Sequence, residues 1–206
     1  MERVAVKQTK ELDYKTYEAF RVLRTNLEHV KQDGKVLAFT SVMGKEGKSF
    51  VAFQTACAVA AAGKTCVYVN ANLREAISAD IYEATSVKNT LTRYLQGKKK
   101  EDEAVCETDV KNLYLVESGA PCREASELLA GEGFQNLIHA LRETYDWVVI
   151  DTPAVGEVAD GLVAAQQADG VVIVIEPELV PYEQAQKVKK QIEMNGCKVL
   201  GVVLNK

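Results

Sequence analysis

The sequence predicts an α/β fold with a central, mostly parallel sheet and helices on both faces. Apolar β-branched runs recur along the chain, several are separated by segments with helical periodicity, and some are continuous instead of alternating, as strands covered on both sides require. The first element, 14–30, sets Phe20, Leu23, Leu27 and Val30 at helical spacing and reads as an amphipathic helix packing on the sheet or on a neighbour. A strand follows at 36–40, then a long apolar helix at 48–62 that Gly63 stops, then a strand at 65–69. The polar stretch 76–112 has a weak helical pattern near 87–95 and a charged run at 97–103; it reads as an excursion between strands, with the charged run a solvated turn. Beyond it come strands at 113–117, 147–151, 170–176 and 198–204. An amphipathic helix at 132–145 and a helix at 182–195, stopped by Gly196, lie between them.

Composition limits the function classes. The chain has 206 residues, 47% apolar and 26% charged, which suits one domain spanning 1–206. Such a chain buries roughly 70% of its unfolded surface and needs no disulfide or structural metal to hold a core. Twenty-five Lys and Arg against twenty-nine Asp and Glu give a net charge of −4, so no broad basic face and no nucleic-acid partner are expected. The longest apolar runs, near 56–62 and 170–175, fall short of the ~20 residues that cross a bilayer, and the N-terminus lacks a signal-peptide core, so a soluble, cytoplasmic chain is expected. Cys57, Cys66, Cys106, Cys122 and Cys197 are scattered, never spaced as CxxC nor beside His29 or His139, and read as reduced, mostly buried thiols.

The strongest chemistry lies at 36–49, a strand running through Ser41-Val-Met-Gly-Lys-Glu-Gly-Lys-Ser49 into a helix. This is the architecture of a P-loop, with Val42 where the strict pattern asks for glycine. Backbone N–H groups over Met43, Gly44, Lys45, Glu46, Gly47, Lys48, Ser49 and Phe50 can surround a phosphate at the positive end of the helix. Lys48 can reach its outer oxygens, and Ser49 can ligate Mg²⁺. Gly47, lacking a Cβ, lets the backbone approach the phosphate. The apolar strand 147–151 ends in Asp151, followed by Thr152 and Pro153. That is the Walker B arrangement, which delivers a carboxylate to the same metal. ATP or ADP with Mg²⁺ is the implied cofactor, and Ser49 and Asp151 are the candidate metal ligands.

From about residue 14 to 206 the chain resembles the bacterial tyrosine kinases of capsule and exopolysaccharide synthesis, a branch of the MinD/ParA-like P-loop ATPases. The resemblance rests on Glu18, Arg21 and Arg24, similar to the family's Glu-x-x-Arg-x-x-Arg oligomerisation motif, and on the loop 41–49. It also rests on Pro121 ahead of Glu127-Leu-Leu129, on the Walker B strand, on Ala168-Asp169-Gly170, and on a last strand whose Asn205 looks like the asparagine approaching the adenine. It implies a homo-oligomer joined through Glu18, Arg21 and Arg24, with region 1–35 carrying the oligomerisation helix and 36–206 the nucleotide-binding core. Across a subunit boundary Arg–carboxylate pairing suits those three residues; on one chain they equally decorate a solvated helix face. The other implied partners are a membrane-embedded activator or polysaccharide co-polymerase and protein tyrosine substrates. The implied location is peripheral, at the inner face of the membrane.

The chain departs from the family in several places. The family's Walker A′ strand reads Asp-x-Asp-Leu-Arg, and the resemblance assigns its carboxylates to activating the tyrosine hydroxyl and holding hydrated Mg²⁺. Here it reads Asn70-Ala-Asn72-Leu-Arg74, so the candidate catalytic set is Lys48, Asp151, Asn70 and Asn72, with two amides that cannot accept a proton as a base. The family's Pro-Gly ahead of Glu-Gly-Lys is Gly44-Lys45, and Lys45 either adds charge to the phosphates or faces solvent. Asp160 is a weaker candidate for the metal shell and is expected to cap or pair within the next helix. Family members usually end in a tyrosine-rich tail. The last of the eight tyrosines here is Tyr182, which leaves a piece of a longer chain or a member without that tail. Three readings follow: an ATP-binding tyrosine autokinase-like protein regulating capsular or exopolysaccharide synthesis and export, a catalytically degenerate nucleotide-binding assembly switch, and a MinD/ParA-like positioning ATPase.

Overall fold

The computed structural model describes residues 2–8, 12–31, 33–75, 82–84, 87–98 and 101–206. Its strands are β1 (Glu2–Val4), β2 (Val6–Gln8), β3 (Val36–Ser41), β4 (Cys66–Asn70), β5 (Tyr82–Ala84), β6 (Cys106–Thr108), β7 (Leu113–Val116), β8 (Trp147–Asp151), β9 (Gly170–Ile175) and β10 (Val199–Leu204). The helices are α1 (Tyr14–Val30), α2 (Lys48–Ala61), α3 (Leu91–Leu95), α4 (Glu101–Ala104), α5 (Ala125–Ala130), α6 (Glu132–Thr144), α7 (Asp160–Ala165) and α8 (Tyr182–Met194). Eight strands form one sheet in the order β1-β6-β7-β4-β8-β3-β9-β10, parallel except where β6 meets β7, while β2 and β5 form a separate antiparallel pair.

Strand pleating explains the continuous apolar runs. Val36 and Ala38 of β3, Val67 and Val69 of β4, and Val148 and Ile150 of β8 join one core with Leu129, Phe134, Leu137, Leu141, Val188 and Ile192 of α5, α6 and α8. The alternate residues Leu37, Phe39, Cys66, Tyr68, Trp147 and Val149 join a second core with Phe20 and Leu27 of α1 and Val51, Phe53, Ala56 and Val59 of α2. Successive side chains leave opposite faces, so a strand covered twice is apolar at every position. Gly63 and Gly196, both with left-handed backbone (φ 85° and 80°), follow the ends of α2 and α8 as expected.

The excursion between β4 and β7 holds more structure than its polarity suggests. It contributes β5, α3, α4 and β6, and the helical pattern near 87–95 condenses to the five residues of α3. Lys99 and Lys100 of the charged run lie outside the described residues. All five cysteines are free thiols; burial pushes Cys57 up to about 12 and Cys66 well above the ordinary thiol range. No helix among the described residues is long and apolar enough to cross a membrane.

Topology positions the site. From β3 the chain crosses through α2 to β4, skipping the place that β8 later fills, and from β8 it passes to β9 on the other side of β3. The carboxyl ends of β3, β8 and β4 therefore open together where the winding reverses, the place where α/β sheets bind ligands.

Candidate functional site

The loop 42–47 is held in shape by its own side chains. Lys45 and Gly47 both have left-handed backbone (φ 69° and 74°), and a Cβ at Gly47 would collide with Asn205 Nδ2. Asn205 Nδ2 donates to the Glu46 carbonyl at 3.0 Å, and its own N–H is tied to Ile175 at the end of β9. Glu46 is fully buried and points away from the loop's mouth, accepting from the N–H groups of Met43 (2.5 Å) and Glu176 (3.0 Å). Its carboxylate thus braces the loop. The first N–H groups of α2 have no intrahelical acceptors and are open to an anion.

Lys48 and Ser49 open α2, and Lys48 Nζ lies 3.1 Å from Ser49 Oγ and 3.8 Å from Asp151 Oδ1. Asp151 shares its face of β8 with Trp147 and Val149, the face that α2 covers, so the lysine and the carboxylate meet by pleat and not by sequence proximity. Asp151 is 1% exposed; its Oδ2 accepts from the Tyr68 hydroxyl at 2.8 Å, and its Oδ1 accepts no hydrogen bond among the described residues. A buried carboxylate oxygen without a donor is costly and is met by a cation in sites of this kind. The hard-oxygen pair Asp151 and Ser49, with the glycine-shaped cradle beside them, therefore fits a phosphate carrying Mg²⁺.

The remaining candidates fall into two groups. Asn70 is buried, donating from Nδ2 to Glu117 Oε1 (2.9 Å) and accepting from the Asn72 N–H (3.2 Å). Asn72 instead turns outward, its Nδ2 donating to Glu75 at 3.0 Å. The Phe50 ring packs edge-to-face on Phe20 of α1, centroids 5.8 Å apart. Met43 is exposed at the loop's mouth. On α1, Arg21 pairs with Glu18 at 2.7 Å, while Arg24 lies against α2 and donates to the Ala58 carbonyl, its Nε buried without an acceptor.

Asp160 pairs across the fold instead of within α7. It is fully buried and holds Arg74, with Nη2 at 3.0 Å, and the Ser126 hydroxyl. Burial alone would raise its carboxyl; Arg74 and Ser126 outweigh that and hold it below the usual range. Asp169 closes the opposite end of the sheet, accepting from the Lys35 and Val36 N–H groups and from Arg142. Three residues that the sequence did not single out touch the site: Tyr68 on Asp151, Glu117 on Asn70, and Glu157, whose Oε1 accepts from the Gly44 N–H at 2.8 Å. Only the pleat offers a signal for the first two: Tyr68 shares its strand face with Asn70, two residues on, and Glu117 follows the same alternation in β7.

Comparison with known proteins identifies the family and the fold. The AAA domain family matches residues 34–197. Tyrosine-protein kinase CpsD of Streptococcus agalactiae is 35% identical over 192 residues, 93% of this chain and 84% of that one. The crystal structure of the chimerical protein CapA2B2 superposes with a TM-score of 0.83 at 29% identity, covering 91% of this chain and 83% of that one. The septum site-determining protein MinD of Pyrococcus horikoshii shares the fold with a TM-score of 0.72 at 23% identity, over 83% and 70% of the two chains. The chain belongs to the bacterial tyrosine kinase family that includes CpsD, and it shares its fold with MinD.

Proposed function

We propose that the chain binds ATP and ADP with Mg²⁺ at the loop 42–49 and acts as a cytoplasmic tyrosine autokinase-like protein regulating capsular or exopolysaccharide synthesis and export. The observation that supports nucleotide binding is Asp151 Oδ1, buried without a hydrogen-bond donor among the described residues and in an ion pair with Lys48 Nζ at 3.8 Å, beside the loop. Lys48 stabilises charge on the transferring phosphoryl group, Ser49 and Asp151 hold the metal, and the N–H groups from Lys45 to Phe50 hold the phosphates, those of Met43 and Gly44 being engaged by Glu46 and Glu157. Bound Mg²⁺ neutralises charge on the phosphate oxygens. Asn205 addresses the base, beside a cavity of about 820 Å³ lined by Phe20, Leu23, Phe50, Val203 and Lys206. The acceptor is a tyrosine of a neighbouring subunit or of another protein. Self-association runs through Glu18, Arg21 and Arg24 on the 1–35 region, and a membrane-embedded activator or co-polymerase brings the chain to the inner face of the membrane. Incubation of the purified chain with Mg-ATP and that activator yields phosphotyrosine; its absence under conditions where ATP binds rules out the kinase.

A second reading, a nucleotide-responsive assembly switch with little turnover, is favoured by the two amides at positions 70 and 72. Nucleotide-dependent change in oligomer size without phosphotyrosine distinguishes it from the first.

A further inference from the structure

The amide at position 70 has a partner that changes its meaning. In the β4–β7 pairing Val69 is opposite Val116, which brings the next residues, Asn70 and Glu117, side by side; in the β4–β8 pairing Asn70 is opposite Asp151. All three continue the strand faces of Tyr68, Leu115 and Val149, on the side covered by α2. Glu117, Asn70 and Asp151 therefore form one lateral row at the carboxyl edge of the sheet. Glu117 is fully buried, and its Oε1 accepts from Asn70 Nδ2 (2.9 Å), the Ser118 N–H (2.9 Å) and the Ser118 hydroxyl (3.2 Å). Three donors thus converge on this one carboxylate oxygen.

We infer that Glu117 supplies the negative charge that position 70 lacks, so that the Walker A′ anion has moved one strand outward from β4 to β7 and Asn70 is the neutral spacer the move requires. Glu117 is a positioning residue: it orients the Asn70 amide and adds its charge to the field at Asp151, whose orphaned Oδ1 marks the cation side of the row. An aspartate at position 70 would replace the Nδ2 donor with an anionic oxygen facing Glu117, making three carboxylates in a row on adjacent strands. Like charges so placed repel, and one of them is forced to take up a proton. Reinstating the family's aspartate at this position therefore harms the site unless Glu117 is neutralised with it.

This inference rests on the nucleotide-binding reading, and the experiment separates the two. Asn70→Asp, Glu117→Gln and the double variant are compared with the wild type by nucleotide-free thermal melting and by ATP affinity with and without Mg²⁺. Glu117→Gln should reduce the Mg²⁺-dependent gain in ATP affinity by about tenfold. Asn70→Asp alone should melt lower and lose that gain, and the double variant should recover both. The inference is overturned if Asn70→Asp alone melts like the wild type and strengthens the Mg²⁺ effect, or if Glu117→Gln leaves the effect unchanged. Should Glu117→Gln fail to fold, recovery of folding by Asn70→Asp supports the exchange of charge and no recovery refutes it. If the wild type binds neither ATP nor ADP, the site reading falls and this inference with it.

Discussion

Replacing Tyr68 with phenylalanine tests how Asp151 is held. The change removes one hydroxyl and leaves the ring, so the edge-to-face packing of residue 68 on Phe53 (centroids 5.4 Å apart, planes at 88°) survives and the variant reports on the hydrogen bond. That bond runs 2.8 Å to Oδ2 of a carboxylate that is 1% exposed, while Oδ1 accepts none among the described residues. A hydrogen bond to a buried charge contributes about 1.5–3 kcal/mol, and stranding the acceptor puts the cost at the upper end. For a chain of this size each kcal/mol shifts Tm by about 2–4 °C, so Tyr68→Phe should melt about 5–10 °C lower without ligand. The loss should fall to about 1 kcal/mol when Asp151→Asn is the background, because the stranded group is then neutral. Melting and urea unfolding of the four proteins give the cycle. Equal stability of Tyr68→Phe and the wild type would refute the reasoning, as would a penalty that is the same in both backgrounds.

Gly47→Ala places a Cβ against Asn205 Nδ2 at a left-handed backbone position, which costs about 1–2 kcal/mol before the collision is counted; phosphate-dependent binding should be lost with the fold retained, read by calorimetry and circular dichroism. In Glu157→Gln the amide oxygen can still accept the Gly44 N–H, but the negative charge at the loop's mouth is gone, so ATP should tighten by roughly fivefold relative to ADP; equal shifts for both nucleotides contradict this. Stability should also fall in acid. Asp160 and Asp169 both have carboxyls held below their unfolded values: burial opposes this, but Arg74 and Ser126 for one, and Arg142 with the Val36 and Lys35 N–H groups for the other, prevail. The stabilisation is therefore fully present above about pH 5 and is lost as pH falls through the folded values below about pH 4. Asp160→Asn with Asp169→Asn should flatten the acid limb of Tm against pH.

The parts of the fold legible in the sequence are those whose signal is local and repeated. The helix α1, the strands β3 and β8 and the loop between β3 and α2 each carry a long apolar run or a fixed spacing of glycine, lysine and serine. Elements such as β1 and β6, three residues each, cover less than two periods of a strand and carry no pattern of their own. The site divides the same way. Lys48, Ser49 and Asp151 are legible because their chemistry follows from a motif, whereas Tyr68, Glu117 and Glu157 enter through strand register or loop return. The bond from Tyr68 to Asp151 spans 83 residues, and that from Arg74 to Asp160 spans 86. Asp160 shows the consequence: proximity suggested a partner in its own helix, and the sheet's winding supplied Arg74 and Ser126 instead.

Nucleotide binding at the loop 42–49, with Lys48 and Asp151 at its centre, underlies the proposed function. Titration of ATP and ADP, with and without Mg²⁺, into the wild type and Lys48→Met, each checked for folding, tests it most directly. The wild type should bind both nucleotides, Mg²⁺ should tighten ATP, and Lys48→Met should stay folded and lose the binding. Unchanged affinity in Lys48→Met would contradict it.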